Sequence, residues 1–136
     1  PLRRAVVESR CKRRVKLYLT PLPRECTILP RRGIPFIEVP SLTLDEILSK
    51  FIANFQSIII KIDVEGAELA CLRSCYKTLN RFKGDIHIVV ASYHYPAQPD
   101  EIISFMEKLG FQCKLYYYRS KFAGGKYVYC YKEASR

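Results

Sequence analysis

No run of apolar residues in this 136-residue chain approaches the roughly 18 that a bilayer-spanning helix needs. No signal peptide is read at the start, where Pro1-Leu2-Arg3-Arg4 leads straight into a short strand-like segment. The initial proline, in place of methionine, reads as the start of a piece cut from a longer protein. None of the cysteines (Cys11, Cys26, Cys71, Cys75, Cys113, Cys130) forms a C-x-x-C pair, so zinc and dithiol chemistry have no spacing to stand on and no metal is expected. A chain of this length does not need disulfide staples, so reduced thiols and a cytoplasmic setting are expected. Glycine-rich signatures are absent as well: there is no G-x-G-x-x-G and no G-x-x-x-x-G-K-S/T. Nothing in the sequence therefore cradles a phosphate or a nucleotide in the usual way. H-E-x-x-H and G-x-S-x-G are also missing, which removes the zincin and nucleophile-elbow readings.

What is present is a globular composition, 49% hydrophobic and 26% charged, which is enough for one domain over residues 1–136. The net charge of +10 is uneven. Up to Arg32 there are ten Lys or Arg against two Glu, a net of +8; the remaining residues carry 13 against 11, a net of +2. A basic region over residues 1–40 suits nucleic acid, an anionic surface or a phosphorylated substrate, and equally suits a solvated hairpin. No aromatic residues interleave with Lys12-Arg13-Arg14, so a base-stacking surface is not favoured.

Residues 41–136 read as an α/β core. Before it, Ala5-Val6-Val7 and Val15 to Leu19 are short strands, and Pro21, Pro23, Pro30 and Pro35 make the next stretch a loop. Phe36 to Val39 is a third strand. Thr43-Leu44-Asp45-Glu46 is a capping box that starts a helix with Leu44, Ile47, Leu48 and Phe51 on one face. Ser57 to Ile62 is a β-branched run that reads as a strand buried on both faces, as in a parallel sheet. A helix over Ala67 to Leu79 follows, then a buried strand Ile86 to Ala91 and a helix opening at Pro99-Asp100-Glu101 and closing at Gly110. Phe111 to Tyr118 and Tyr127 to Lys132 read as a terminal antiparallel hairpin, rich in tyrosines that suit cross-strand packing or an aromatic platform. The alternation predicts a mostly parallel sheet flanked by helices, with that hairpin at the end.

In such sheets ligands collect at the carboxyl ends of the strands. The first buried strand ends in Lys61-Ile62-Asp63-Val64-Glu65-Gly66-Ala67-Glu68, which delivers three carboxylates and a glycine to that edge. Asp63 is the candidate that most needs a partner, because a carboxylate in a crevice costs desolvation. Glu65 and Glu68 also suit the positive end of a helix dipole. The second strand ends in Ser92-Tyr93-His94-Tyr95-Pro96, so His94 is a candidate base at the same edge. His87, inside the strand, reads as packing.

The run Ser41 to Leu48, followed by Ile59 to Glu68 with its K-I-D-V-E-G-A-E octapeptide, resembles the FkbM-type methyltransferase family; His94 and Leu109-Gly110-Phe111 match in order and spacing. The resemblance covers nearly all of the chain. It implies a Rossmann-like methyltransferase fold with strand order 3-2-1-4-5-7-6, S-adenosylmethionine as cofactor, and methyl transfer to a hydroxyl, often that of a sugar. Asp63 and His94 become the expected catalytic residues, and Asp63 and Glu65 the expected cofactor-binding residues. Two departures stand out. Ser92 takes the place of a glutamate that many members carry two residues before the histidine. The first two strands of the family, with their glycine-rich cofactor loop, have no counterpart here, so the fold is expected to be incomplete, with exposed sheet edges open to homo-oligomer formation. The partner expected is a small-molecule or glycan acceptor. The reading from another class is a non-enzymatic basic module for nucleic acid or an anionic surface.

Overall fold

The computed structural model describes residues 5–6, 14–22, 25–119 and 124–134. The turn expected before Arg14, together with Cys11, Lys12 and Arg13, lies outside them. Three strands form a first sheet: β1 (Ala5–Val6), β2 (Arg14–Tyr18) and β3 (Phe36–Leu42), with β3 in the middle. β1 runs parallel to β3 and β2 antiparallel, which sets Val15 opposite Val39 and Leu17 opposite Ile37. The proline-rich loop after β2 folds back on it, with reciprocal backbone bonds between Tyr18 and Thr27 (2.9 and 3.3 Å).

Helix α1 (Leu44–Leu48) starts where the capping box places it. Thr43 Oγ1 accepts from the Glu46 amide (3.2 Å), and Glu46 Oε2 accepts from the Thr43 amide (2.8 Å). The helix is shorter than its apolar spacing suggests: Phe51 lies beyond it and is 56% exposed. A 3-10 turn (Ile52–Asn54) then leads into β4 (Ser57–Ile62). After it come α2 (Glu68–Arg73), α3 (Tyr76–Arg81), β5 (Asp85–Ala91), α4 (Gln98–Glu107), β6 (Gln112–Arg119) and β7 (Gly124–Lys132). The second sheet has the order β4-β5-β7-β6, which reproduces the 4-5-7-6 part of the order implied by the family resemblance.

Four expectations need correction. The sheet is not mostly parallel. Among the described residues only the β1–β3 and β4–β5 pairs are parallel; β2–β3 is antiparallel, and so are β5–β7 and β6–β7, because the terminal hairpin inserts β7 beside β5. β4 is not buried on both faces. Ile58, Ile60 and Ile62 turn toward the core, whereas Ile59 is 79% exposed, since it lies on the sheet face opposite the packed helices. The helix expected over Ala67 to Leu79 is two helices. Tertiary capping breaks it at Ser74: Ser74 Oγ donates to the Cys71 carbonyl (2.6 Å) and accepts from the Leu44 amide (3.0 Å), while its carbonyl accepts from the Asp45 amide (3.0 Å). The cysteines are not all reduced. The β6–β7 register sets Cys113 directly opposite Cys130, and the two form a disulfide; Cys26, Cys71 and Cys75 are free.

The core lies on one face of the second sheet. Ile86, Ile88 and Val90 of β5 alternate inward and meet Leu72, Leu79, Ile102 and Met106 from the helices, all fully buried. Each such aliphatic side chain contributes about 1.5–3 kcal/mol through burial. Gly110 adopts φ +81° just past α4, and the Phe111 amide bonds back to the Met106 carbonyl (3.2 Å), which ends the helix as the glycine predicts. His87 packs within the sheet as expected, its Nδ1 2.7 Å from the Tyr129 hydroxyl. No helix among the described residues is long and apolar enough to cross a membrane.

Candidate active site at the carboxyl edge of β4 and β5

β4 and β5 are parallel and in register, with Ile62 opposite Val90, so the segments that follow them emerge side by side. The first carries Asp63, Glu65 and Glu68, and the second carries Ser92, Tyr93 and His94. The turn between β4 and α2 is tight. Glu65 holds φ +54° and Gly66 φ +96°, two consecutive left-handed residues of which only the second is a glycine. A left-handed non-glycine residue costs about 1–2 kcal/mol, so contacts from elsewhere must hold it.

Glu68 is fully buried and supplies those contacts. Its Oε1 accepts from the amides of Val64 (2.9 Å) and Gly66 (3.2 Å), closing the turn over its own helix start. Its Oε2 accepts from Gln98 Nε2 (2.6 Å). Gln98, also fully buried, accepts through Oε1 from the His94 amide (2.9 Å). A buried pair of side chains thus ties the β4 turn to the β5 turn, and three N–H donors compensate the burial of the carboxylate. From the other side, Thr27 Oγ1 donates to the Glu65 carbonyl (3.0 Å). A Cβ at position 66 would stand 2.9 Å from Leu29 Cδ1, so the Thr27–Leu29 loop closes on the turn.

His94 sits between two carboxylates. Its Nε2 is 3.2 Å from Glu68 Oε1, close enough for charge attraction but not aligned as a hydrogen bond. Its Nδ1 is 3.9 Å from Glu65 Oε2. Tyr93 packs against it with the rings tilted by 39° and their centroids 4.5 Å apart, and the Tyr93 hydroxyl stands 3.5 Å from Asp63 Oδ1. Burial first, and then the Asp63 charge, push the Tyr93 hydroxyl up to about 12. Asp63 faces solvent and is ion-paired with Lys61 Nζ (3.2 Å). The desolvation expected for Asp63 in a crevice is therefore not found, and its lysine partner is a surface one. One ligand atom each from Asp63, Glu65 and His94 lie within 4.8 Å of one another, a donor set suited to a divalent ion.

Asp63, Glu65 and His94, which the sequence singled out, do converge. Other residues hold them in place. The sequence places Glu68 at the same edge and also suits it to the helix dipole; in the fold it turns back onto the preceding turn. Gln98 gave no signal beyond its i+4 spacing from His94, and Tyr93 none beyond adjacency. Ser92 is fully buried and its Oγ has no hydrogen-bond partner among the described residues.

The family model described as the methyltransferase FkbM domain matches residues 18–113, well over half of the chain. The chain belongs to the FkbM methyltransferase domain family. Among solved structures, methyltransferase FkbM from Methylobacillus flagellatus KT is similar, with a TM-score of 0.52 and 16% identity over 68% of this chain and 23% of that one. At this identity the likeness concerns the α/β fold. The present chain spans about a quarter of the length of that structure. No curated protein matches the chain. In this FkbM domain the octapeptide Lys61 to Glu68 plays two parts: Asp63 and Glu65 face outward at the edge, and Glu68 anchors them from within.

Proposed function

We propose that the chain is part of an S-adenosylmethionine-dependent methyltransferase that methylates a hydroxyl group, such as that of a sugar. The observation that carries this reading is the convergence of Asp63, Glu65 and His94 at the carboxyl edge of β4 and β5, fixed by the buried Glu68–Gln98 pair. When bound, the cofactor supplies a methyl group on a positively charged sulfur. The residues present fit such a group at one end only: Asp63 and Glu65 offer negative charge to a cationic ligand, while no glycine-rich loop is found in these 136 residues.

His94 is the residue for proton transfer. Glu68 sits against Nε2 and the backbone is held by Gln98, so Nδ1 is the nitrogen left to meet an acceptor hydroxyl and take its proton. Tyr93 packs on the His94 ring and restricts its rotation. Asp63 and Glu65 orient rather than react, and alignment of donor and acceptor supplies most of the rate.

Binding of the cofactor to this chain alone is expected to be weak. Nuclear magnetic resonance titration with millimolar S-adenosylmethionine should shift the amides of residues 63–66 and 93–94, and Asp63→Asn with Glu65→Gln should abolish those shifts. Shifts confined to other parts of the chain, or unchanged in the double variant, would refute the assignment. Micromolar affinity by calorimetry would refute the claim of weak binding.

A further inference from the structure

We infer that a second binding site lies at the opposite edge of the sheet from the candidate active site, and that it takes an amphipathic anion: an apolar body with one anionic head. A cavity of about 490 Å³ opens there between the α1–β4 connection and the α3–β5 connection. It falls within the roughly 300–1,000 Å³ of ordinary ligand pockets.

The walls are tied together at both ends and left apart between. At one end Asp45 reaches from α1 to the start of α3, accepting from the amides of Lys77 (3.1 Å) and Thr78 (2.8 Å). At the other end the Asp85 amide donates to the Gln56 carbonyl (2.9 Å). Gly84 lies so close that a Cβ there would meet the Gln56 backbone. A gap held open by fixed ends is pre-formed, and a ligand need not order it.

The lining has two parts. Ile52, Ala53, Phe55 and Phe82 provide an apolar floor, of which Phe55 is 56% exposed. Lys77, Arg81 and Lys83 stand around it. The acids of the lining are already engaged: the Asp45 oxygens cap α3, and Glu46 Oε2 accepts from the amide and hydroxyl of Thr43 (2.8 and 3.0 Å). Among the described residues, the side chains of Lys77, Arg81 and Lys83 form no ion pair. The lining carries three cations against two carboxylates, which keep their charge but are turned to backbone donors, so its net charge is positive and borders an apolar floor. The complementary ligand carries a carboxylate or phosphate at one end and hydrocarbon or an aromatic ring at the other.

The test is a titration of the chain with decanoate below its micellar concentration, followed by nuclear magnetic resonance, with decanol and acetate as controls. Decanoate should bind saturably and shift amides in residues 45–55 and 77–84, with both controls weaker by about tenfold or more. Combined Lys77→Glu, Arg81→Glu and Lys83→Glu substitution, at residues outside the candidate active site, should weaken decanoate by about tenfold while leaving decanol unchanged. Equal binding of decanol, unchanged affinity in the triple variant, or shifts mapping to the tyrosine-bearing sheet face would overturn the proposal. So would binding to phosphatidylglycerol vesicles without binding to monomeric decanoate, since the surface would then be a membrane contact and the cavity irrelevant.

Discussion

Glu68 is the residue on which the candidate site depends. Replacing it with alanine leaves two turn amides and the Gln98 amide group without their acceptor in a fully buried setting. Glu68→Ala should destabilise the chain by about 3 kcal/mol, measured by urea unfolding, because each buried unsatisfied group costs about 1–3 kcal/mol. Asp63→Asn, at a solvent-facing ion pair, should change stability by less than about 1 kcal/mol. Tyr93 makes a pH prediction. Its folded-state value is raised above 10, so the folded chain favours the neutral hydroxyl. That contribution is fully present below pH 10 and is lost as pH rises toward about 12. Spectrophotometric titration should show a late tyrosinate component near pH 12 that shrinks in Tyr93→Phe; an unchanged titration would contradict the packing described. Tyr95, raised to about 12 by burial and by its bond to Glu101, should account for the late component that remains.

At the scale of elements, the fold is held at its junctions. α1 and α3 are short, and each draws its cap from the other's neighbourhood: Asp45 caps α3, and Ser74 accepts the first amide of α1. Isolated helices of five or six residues are not stable in water, so these exist because of tertiary contacts. The β6–β7 hairpin is held differently, by the Cys113–Cys130 bridge across a sequence separation of 17. Cys113→Ser with Cys130→Ser should lower stability by about 2–3 kcal/mol in calorimetric melting, the range for a loop of that length. Added reductant should lower the melting temperature of the parent chain and leave the double variant unaffected. Cys71, buried and pushed up to about 12 by that burial and by the Glu68 charge, should stay inert to thiol reagents at neutral pH until the chain unfolds.

The molecule as a whole has one covered and one open sheet face. Helices pack on the face of Ile86, Ile88 and Val90, whereas Ile59 and a row of tyrosines lie on the other. β4 is an edge strand with Ile58, Ile59 and Ile60 in sequence and only Lys61 to discourage pairing. Self-association through β4 is the expected result, and Ile59→Lys should shift the chain toward monomer in light scattering. The same mass for parent and variant would place any association elsewhere. In the described part of the basic N-terminal third, Arg14 is taken up by Glu38 through an ion pair (3.6 Å) and a bond to its carbonyl (3.0 Å).

Where the governing signal is local, the sequence alone determined the outcome. The capping box at Thr43, the proline-led start of α4, its glycine end and the terminal hairpin all follow from neighbours within a few residues. The octapeptide from Lys61 to Glu68 likewise announced a strand end bearing acids. The tertiary structure decided everything that rests on distant partners. Glu68 faces inward because Gln98 and the β5 turn are there to meet it, thirty residues away in sequence. The helix after β4 breaks because α1 reaches Ser74. The sheet is mixed because β7 pairs with β5, and Cys113 meets Cys130 because of the register that follows. Hydrophobic periodicity records which side of a strand is apolar but carries no information about which strand lies beside it or which face the helices cover, and Ile59 shows the difference: β-branched like its neighbours, yet left facing solvent.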